Sequence, residues 1–244
     1  MGGRHRHGLV TVSAAARATL MASKPDPTPG SMQTEVFVES SFQENAYVLW
    51  PAGEPACWIV DPSFPPQCDE LCGFVTERRL TPQAILLTHA HADHIAGVDR
   101  VIERFPGIGL WIHPAEEELL GSAKANLSAA FGIPVRSAHR PTRYLQPGLE
   151  LTLGPTRWLV LDTSGHSPGG ISVHCPGAGL VIVGDALFAG SIGRYDFPHS
   201  DGSRLLANIR SALLSLPDET RVLPGHGPET TVGRERTSNP FLVE

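Results

Sequence analysis

An α/β fold with four αββα layers, two sheets face to face with helices outside, is predicted from three observations. Short apolar runs rich in β-branched and aromatic residues, divided by Gly, Pro, Asn and Asp, fill the first half of the chain; the same rhythm returns in the second half; and segments of helical periodicity accompany both. In order, TEVFVES from Thr34, NAYVLW and CWIVD read as antiparallel strands. Residues 67–79 put Leu71, Phe74 and Val75 at helical spacing, and AILLT at 84–88 is a buried strand. A helix over about 97–104, a strand LWIH and a Glu-rich helix near 115–120 follow. Residues 122–140, small and polar with prolines nearby, carry no pattern that assigns an element. LELTLG, RWLVLDT, ISVHC and LVIVGD are strands, followed by a helix over about 203–216 and a last strand RVL. The absence of a short-period repeat argues against a solenoid or propeller.

Composition narrows the class of protein. At 244 residues, 41% hydrophobic and 18% charged, the chain suits one domain with a substantial core rather than a disordered or coiled-coil chain. A net charge of −6 argues against nucleic acid as a partner, since phosphate binding needs concentrated Lys and Arg; a small molecule is expected instead. No stretch approaches the roughly 20 apolar residues of a membrane-spanning helix, so no membrane association is expected. Residues 1–31 carry Arg4, Arg6, Arg17 and Lys24 and end in PDPTPG. They are expected to be a disordered extension, or to precede a true start at Met32, because Arg17 breaks the apolar run that a secretory signal needs. Residues 32–244 are then the folded domain. Cys57, Cys68, Cys72 and Cys175 form no C-x-x-C pair and read as reduced, buried thiols of a cytoplasmic protein.

The segment THAHADHIAG, directly after AILL, points to chemistry. On a helix His89 and His91 would lie about 200° apart and could not share an ion, whereas in an extended segment residues i, i+2 and i+4 face one way. The spacing of His89, His91 and Asp93 therefore predicts a strand end running into a loop, with His94 turned elsewhere, toward a second ion. Three further candidates each follow a strand and sit beside glycines: His166 in TSGHSPGG, Asp185 at the end of LVIVGD, and His226 in LPGHGP. Imidazole with carboxylate suits zinc, iron or manganese, while calcium and magnesium would want mostly oxygen. His5, His7, His113, His139 and His174 have no partner pattern. His199, close behind GRYDFP, is expected at the mouth of the site.

These motifs resemble the metallo-β-lactamase superfamily and, within it, the glyoxalase II (hydroxyacylglutathione hydrolase) group. THAHADH matches that group's T-H-x-H-x-D-H; TSGHSPGG matches T-P-G-H-T-x-G, with Ser164 and Ser167 as departures; and GDALFAGSIGRYDFP matches G-D-x-L-F-x-x-x-x-G-R-x-D. The resemblance runs from about Met32 to His226. It implies a metallo-β-lactamase sandwich in which His89, His91 and His166 hold one divalent ion, Asp93, His94 and His226 a second, and Asp185 bridges both. Zinc is expected, with iron or manganese as alternatives. Asp93 and Asp185 are implied as metal-bound bases, Asp61 as a group hydrogen-bonding a ligand His, Asp196 as a loop holder, and Arg194 as either structural or substrate-facing. Only 18 residues follow His226, so the helical domain that supplies much of the glutathione site in full-length glyoxalase II enzymes is not expected. The implied reaction is hydrolysis of a small-molecule thioester. The nearest alternative is a persulfide dioxygenase with one iron on His89, His166 and Asp185, and a more distant one is a non-catalytic binding scaffold.

Overall fold

A computed structural model describes residues 31–243, and the expected N-terminal extension lies, apart from Ser31, outside the described residues. The first sheet holds β1 (Met32–Val38), β2 (Asn45–Pro51), β3 (Ala56–Val60), β4 (Thr81–Leu86), β5 (Gly109–Ile112) and β6 (Arg143–Tyr144), in that spatial order. β1, β2 and β3 pair antiparallel, while β3 to β6 run parallel. Parallel neighbours need crossovers. α1 (Gln67–Glu77) lies between β3 and β4, and the short α2 (Ala92–Ile95) and α3 (Val98–Arg104) lie between β4 and β5. α4 (Glu117–Gly121) follows β5.

The second sheet contains β7 (Glu150–Leu153), β8 (Thr156–Asp162), β9 (Ile171–Cys175), β10 (Leu180–Gly184), β13 (Arg221–Pro224) and β14 (Thr230–Thr231), with spatial order β14-β13-β10-β9-β8-β7. Between β10 and β13 come a small hairpin, β11 (Leu187–Phe188) with β12 (Ser191–Ile192), and α5 (Gly202–Asn208); α6 (Val232–Ser238) follows β14.

Alternation along the strands produces the four layers. In β3, Trp58 and Val60 face the second sheet while Cys57 and Ile59 face the helical side with Leu71 and Val75 of α1. In β10, Leu180 and Ile182 face inward while Val181 and Val183 pack with Leu205, Ile209 and Leu213 on the other side. Strands buried on both faces read as continuous apolar runs, which is why AILL and LVIV show no polar alternation. Trp58 and Trp158 meet between the sheets with ring centroids 5.4 Å apart, and both are fully buried. Aromatic pairs of this kind contribute about 0.5–1.5 kcal/mol beyond the area they bury.

The structure departs from the sequence reading in several places. The helix expected over 203–216 is α5 followed by a π-helical turn, Ile209–Leu213. β6, β11, β12, β14 and α6 were too short or too polar for a periodicity to register. LWIH ends as a strand at Ile112, and His113 instead caps the next turn, its Nδ1 accepting from Ala115 N. All four cysteines are free and buried. Among the described residues no helix is long and apolar enough to cross a membrane.

Candidate metal centre

β3 and β4 run parallel, as do β10 and β13, so the segments that leave their C-terminal ends can converge. These segments carry Asp61, the His89–His94 stretch, Asp185 and His226. Extended backbone ends at His91 (φ −67°, ψ 155°), and Asp93 and His94 lie on the single turn of α2. This corrects the expectation that Asp93 shares the extended run and that His94 points away from it. The turn swings both side chains to one side, with His94 Nε2 4.0 Å from Asp93 Oδ2.

Two trios result. Ligand-type atoms of His89, His91 and His166 lie within 4.8 Å of one another, as do those of Asp93, His94 and His226. Asp185 stands between them: Oδ1 is 3.3 Å from His94 Nε2, and Oδ2 is 3.5 Å from His166 Nε2 and 3.4 Å from His226 Nε2. His226 Nε2 is also 3.3 Å from Asp93 Oδ2. The seven side chains expected at a metal site are thus gathered in one place.

In four of the five rings the other nitrogen is fixed from outside. Asp61 accepts from Thr88 N (2.8 Å), Thr88 Oγ1 (2.6 Å) and His94 Nδ1 (3.0 Å), so its oxygens are spent on support. Because Thr88 Oγ1 donates to Asp61, it accepts from His89 Nδ1 at 3.1 Å. His166 Nδ1 donates to Arg194 O (2.7 Å) and His226 Nδ1 to Phe42 O (3.1 Å). In His89, His94, His166 and His226 the Nε2 lone pair is therefore turned inward, as ligation requires. His89 Nε2, His94 Nε2 and Asp185 Oδ1 are buried with no hydrogen-bond partner, and His91 Nδ1 faces His166 Nε2 at 2.8 Å. Buried orphans are costly unless a cation lies among them, so the donor set fits divalent metal.

Without metal, the same side chains pair as ions. Burial, helped by neighbouring imidazoles, pushes His89 well below its ordinary value and His91 down to about 3, leaving both neutral. Burial works to raise Asp185 and Asp93, but the charge of His94 and the contact with His226 hold both carboxyls low. Burial likewise opposes charge on His94 and His226, yet Asp185 and Asp93 lift His94 well above its usual range and His226 from 6.5 to about 10. In the metal-stripped chain, protonated His226 stabilises the fold fully below pH 6.5, and this is lost as pH rises through about 10. His91 acts oppositely: its contribution is full above 6.5 and is lost as pH falls toward 3. Urea melts of chelator-treated protein should therefore show greatest stability near pH 6.5, with a decline on the alkaline side that metal-loaded protein does not share. A flat alkaline limb in the stripped protein would contradict this electrostatic account.

Two glycines are required by crowding. A Cβ at Gly225 would run into Asp185 Oδ1 and His94 Cε1, and one at Gly184, where φ is +50°, into Thr88 Oγ1. Glu116 was invisible as a functional residue, since a run of glutamates reads as a solvated helix face. It is fully buried, and its carboxylate accepts from Ala90 N (2.9 Å) and Gly169 N (2.6 Å), tying the His89–His91 loop to the His166 loop. Glu116→Gln turns one acceptor into a donor against these amides. The variant is expected to hold metal on the order of 10-fold less tightly, read by chelator competition with metal analysis. Unchanged affinity would reduce Glu116 to a packing residue. Glu44 is also buried, with Oε2 accepting from Gln67 Nε2 and Oε1 3.9 Å from His94 Nδ1.

A cavity of about 520 Å³ opens over the cluster, lined by His91, Asp93, His166, Asp185 and His226 at its base and by Phe42, Leu127, Phe131, Phe188, Ile192 and Phe197 along its walls. Arg194 also lines it; the guanidinium pairs with both oxygens of Asp196 and stacks over Phe197 at 4.2 Å. His199 is exposed and is not in the lining, so the structure does not bring it to the mouth.

The metallo-beta-lactamase superfamily model matches residues 41–226, which span every side chain of the cluster. The chain belongs to that superfamily. It is thus a metal-dependent hydrolase, with the two-sheet α/β fold of its structural neighbours. A probable metallo-hydrolase, YqgX of Bacillus subtilis, is 43% identical over 82% of this chain and 92% of its own length. The hydroxyacylglutathione hydrolase GloC of Haemophilus influenzae is 34% identical over 86% of this chain and 98% of its own. Among solved structures, the BLEG-1 B3 metallo-beta-lactamase superposes with a TM-score of 0.82 at 38% identity, covering 87% of this chain and all of the other. TTHA1623 in a di-iron-bound form gives 0.75 at 38%, covering 85% of this chain and all of the other.

Proposed function

We propose that this protein is a thioesterase of the glyoxalase II type, acting on a small-molecule thioester with two divalent ions. The observation that carries the reading is Asp185 shared between two ligand trios at the base of an apolar cavity. His89, His91 and His166 would hold one ion, Asp93, His94 and His226 the other, and Asp185 both. A single-iron dioxygenase would leave Asp93, His94 and His226 without a task. The di-iron form of TTHA1623 supports a pair of ions, and the name of the Haemophilus relative supports the thioester. Zinc is our first choice of metal, with iron or manganese next.

Bound there, two divalent ions would lower the pKa of water toward neutrality and stabilise charge developing on the carbonyl oxygen. The chain does the rest. Asp93 and Asp185, held ionised, would orient the attacking water and relay its proton to the departing thiolate. Asp61 and the backbone oxygens of Arg194 and Phe42 keep the imidazoles in one tautomer. The phenylalanine walls exclude bulk water from the reacting carbonyl, and the products are a carboxylic acid and a thiol. Free, buried cysteines fit a reducing cytoplasm, and the net charge of −6 fits a partner other than nucleic acid. The test is a thioester panel run on metal-quantified protein with an oxygen electrode: thiol release without oxygen uptake is expected. Oxygen consumption with a persulfide substrate would replace this reading with the dioxygenase.

A further inference from the structure

We infer that the cavity selects thioesters whose thiol-side body is apolar and uncharged, and that the segment around 126–131 sets this preference. The inference rests on the thioesterase reading above. Asn126, Leu127 and Phe131 form one wall of the cavity. Leu127 is held in the left-handed region (φ 71°), which is unfavourable for a non-glycine residue and persists only where the surroundings enforce it. Asn126 enforces it. Its Nδ2 donates to Leu119 O and Val135 O, each at 3.0 Å, and its Oδ1 accepts from Ser128 N (3.1 Å) and Ser128 Oγ (2.6 Å). Latched in this way, the segment turns Leu127 into the cavity and leaves Phe131 57% exposed at its rim, edge-on to Phe42 at 5.6 Å.

The polar side of the ledger is short. Among the described residues Arg194 is the one Lys or Arg in the lining, and its Nε and Nη2 are already on Asp196, each at 3.0 Å. That pair is exposed and opens at small cost, but a substrate carboxylate recruiting Arg194 would also meet Asp196. Asn126 has no polar atom left to hold an amide. A thiol such as glutathione, with two carboxylates, an ammonium and two amides, would give up its hydration here for little compensation, Ser191 and the remaining arm of Arg194. An aromatic or aliphatic thiol body, by contrast, gains the phenylalanine and leucine surface.

The test uses the metal-loaded protein and two acetyl thioesters, of glutathione and of benzyl mercaptan, together with two inert thioethers, S-methylglutathione and benzyl methyl sulfide. The expected result is kcat/KM at least about tenfold higher for the benzyl thioester and a matching order of thioether affinities by calorimetry. Phe131→Arg, at an exposed position that folding tolerates, should shift both ratios toward the glutathione compounds by about tenfold. Equal or better use of the glutathione thioester, tighter binding of its thioether, or ratios that Phe131→Arg leaves unmoved would overturn the inference. Thioether binding needs no turnover. A benzyl preference in binding without hydrolysis of either thioester therefore supports the cavity's selectivity while removing the thioesterase reading.

Discussion

An Asp185→Asn protein is expected to lose hydrolysis by on the order of a thousandfold and to retain fewer divalent ions per chain than its parent. Asp185 is the side chain that reaches both trios, with its two oxygens within 3.5 Å of His94, His166 and His226. Asn preserves the volume, so the fold should survive, but it replaces a charged oxygen with an NH2 group that points at imidazole nitrogens. In the stripped chain, His94 and His226 also lose the carboxylate that contributes most to raising them, so both should titrate at lower pH when followed by NMR. Metal content by mass spectrometry and kcat on the same sample decide the matter. Parental metal content with a parental rate would remove Asp185 from its shared position.

Why the site was legible and its surroundings were not follows from how each residue earns its place. His89, His91, Asp93 and His94 are close in sequence and follow an apolar strand, a combination with no core role. His166, Asp185 and His226 stand at strand ends beside glycines, where crowding at Gly184 and Gly225 forbids a side chain. Apolar runs divided by Gly, Pro, Asn and Asp marked the strands of the two sheets. The support is different in kind. Glu116 acts through backbone amides of Ala90 and Gly169, distant in sequence, and nothing local separates it from Glu117 or Glu118. The wall built on Leu127 depends on an Asn126 latch within residues 122–140, where no periodicity exists to be read. The helical turn at Asp93 was missed because four residues are too few to show a period. Sequence patterns expose donors that must converge; apart from Asp61, which the family resemblance implied, they hide the groups that aim those donors.

Asp61 offers the sharpest separation of aiming from ligation. It is 2% exposed, sits at φ 48°, and accepts from Thr88 N, Thr88 Oγ1 and His94 Nδ1. Asn tolerates the left-handed region as Asp does, so Asp61→Asn tests the carboxylate without disturbing the backbone. His94 Nδ1 and the Thr88 hydroxyl share Oδ2 while Thr88 N binds Oδ1, so with the amide oxygen kept on Thr88 N both side-chain donors meet an NH2 group, and His94 is free to rotate or change tautomer. The expected outcome is metal affinity weakened by 10–100-fold, with most of the parental kcat recovered at saturating metal, because no ligand has been removed. Asp61→Ala should add a folding loss of about 3–5 kcal/mol, since it strands buried donors and forces Ala into positive φ. Chelator competition and urea midpoints on the two variants separate these effects. If Asp61→Asn instead lost its rate at saturating metal as fully as Asp185→Asn, Asp61 would have to touch the reacting atoms rather than orient His94.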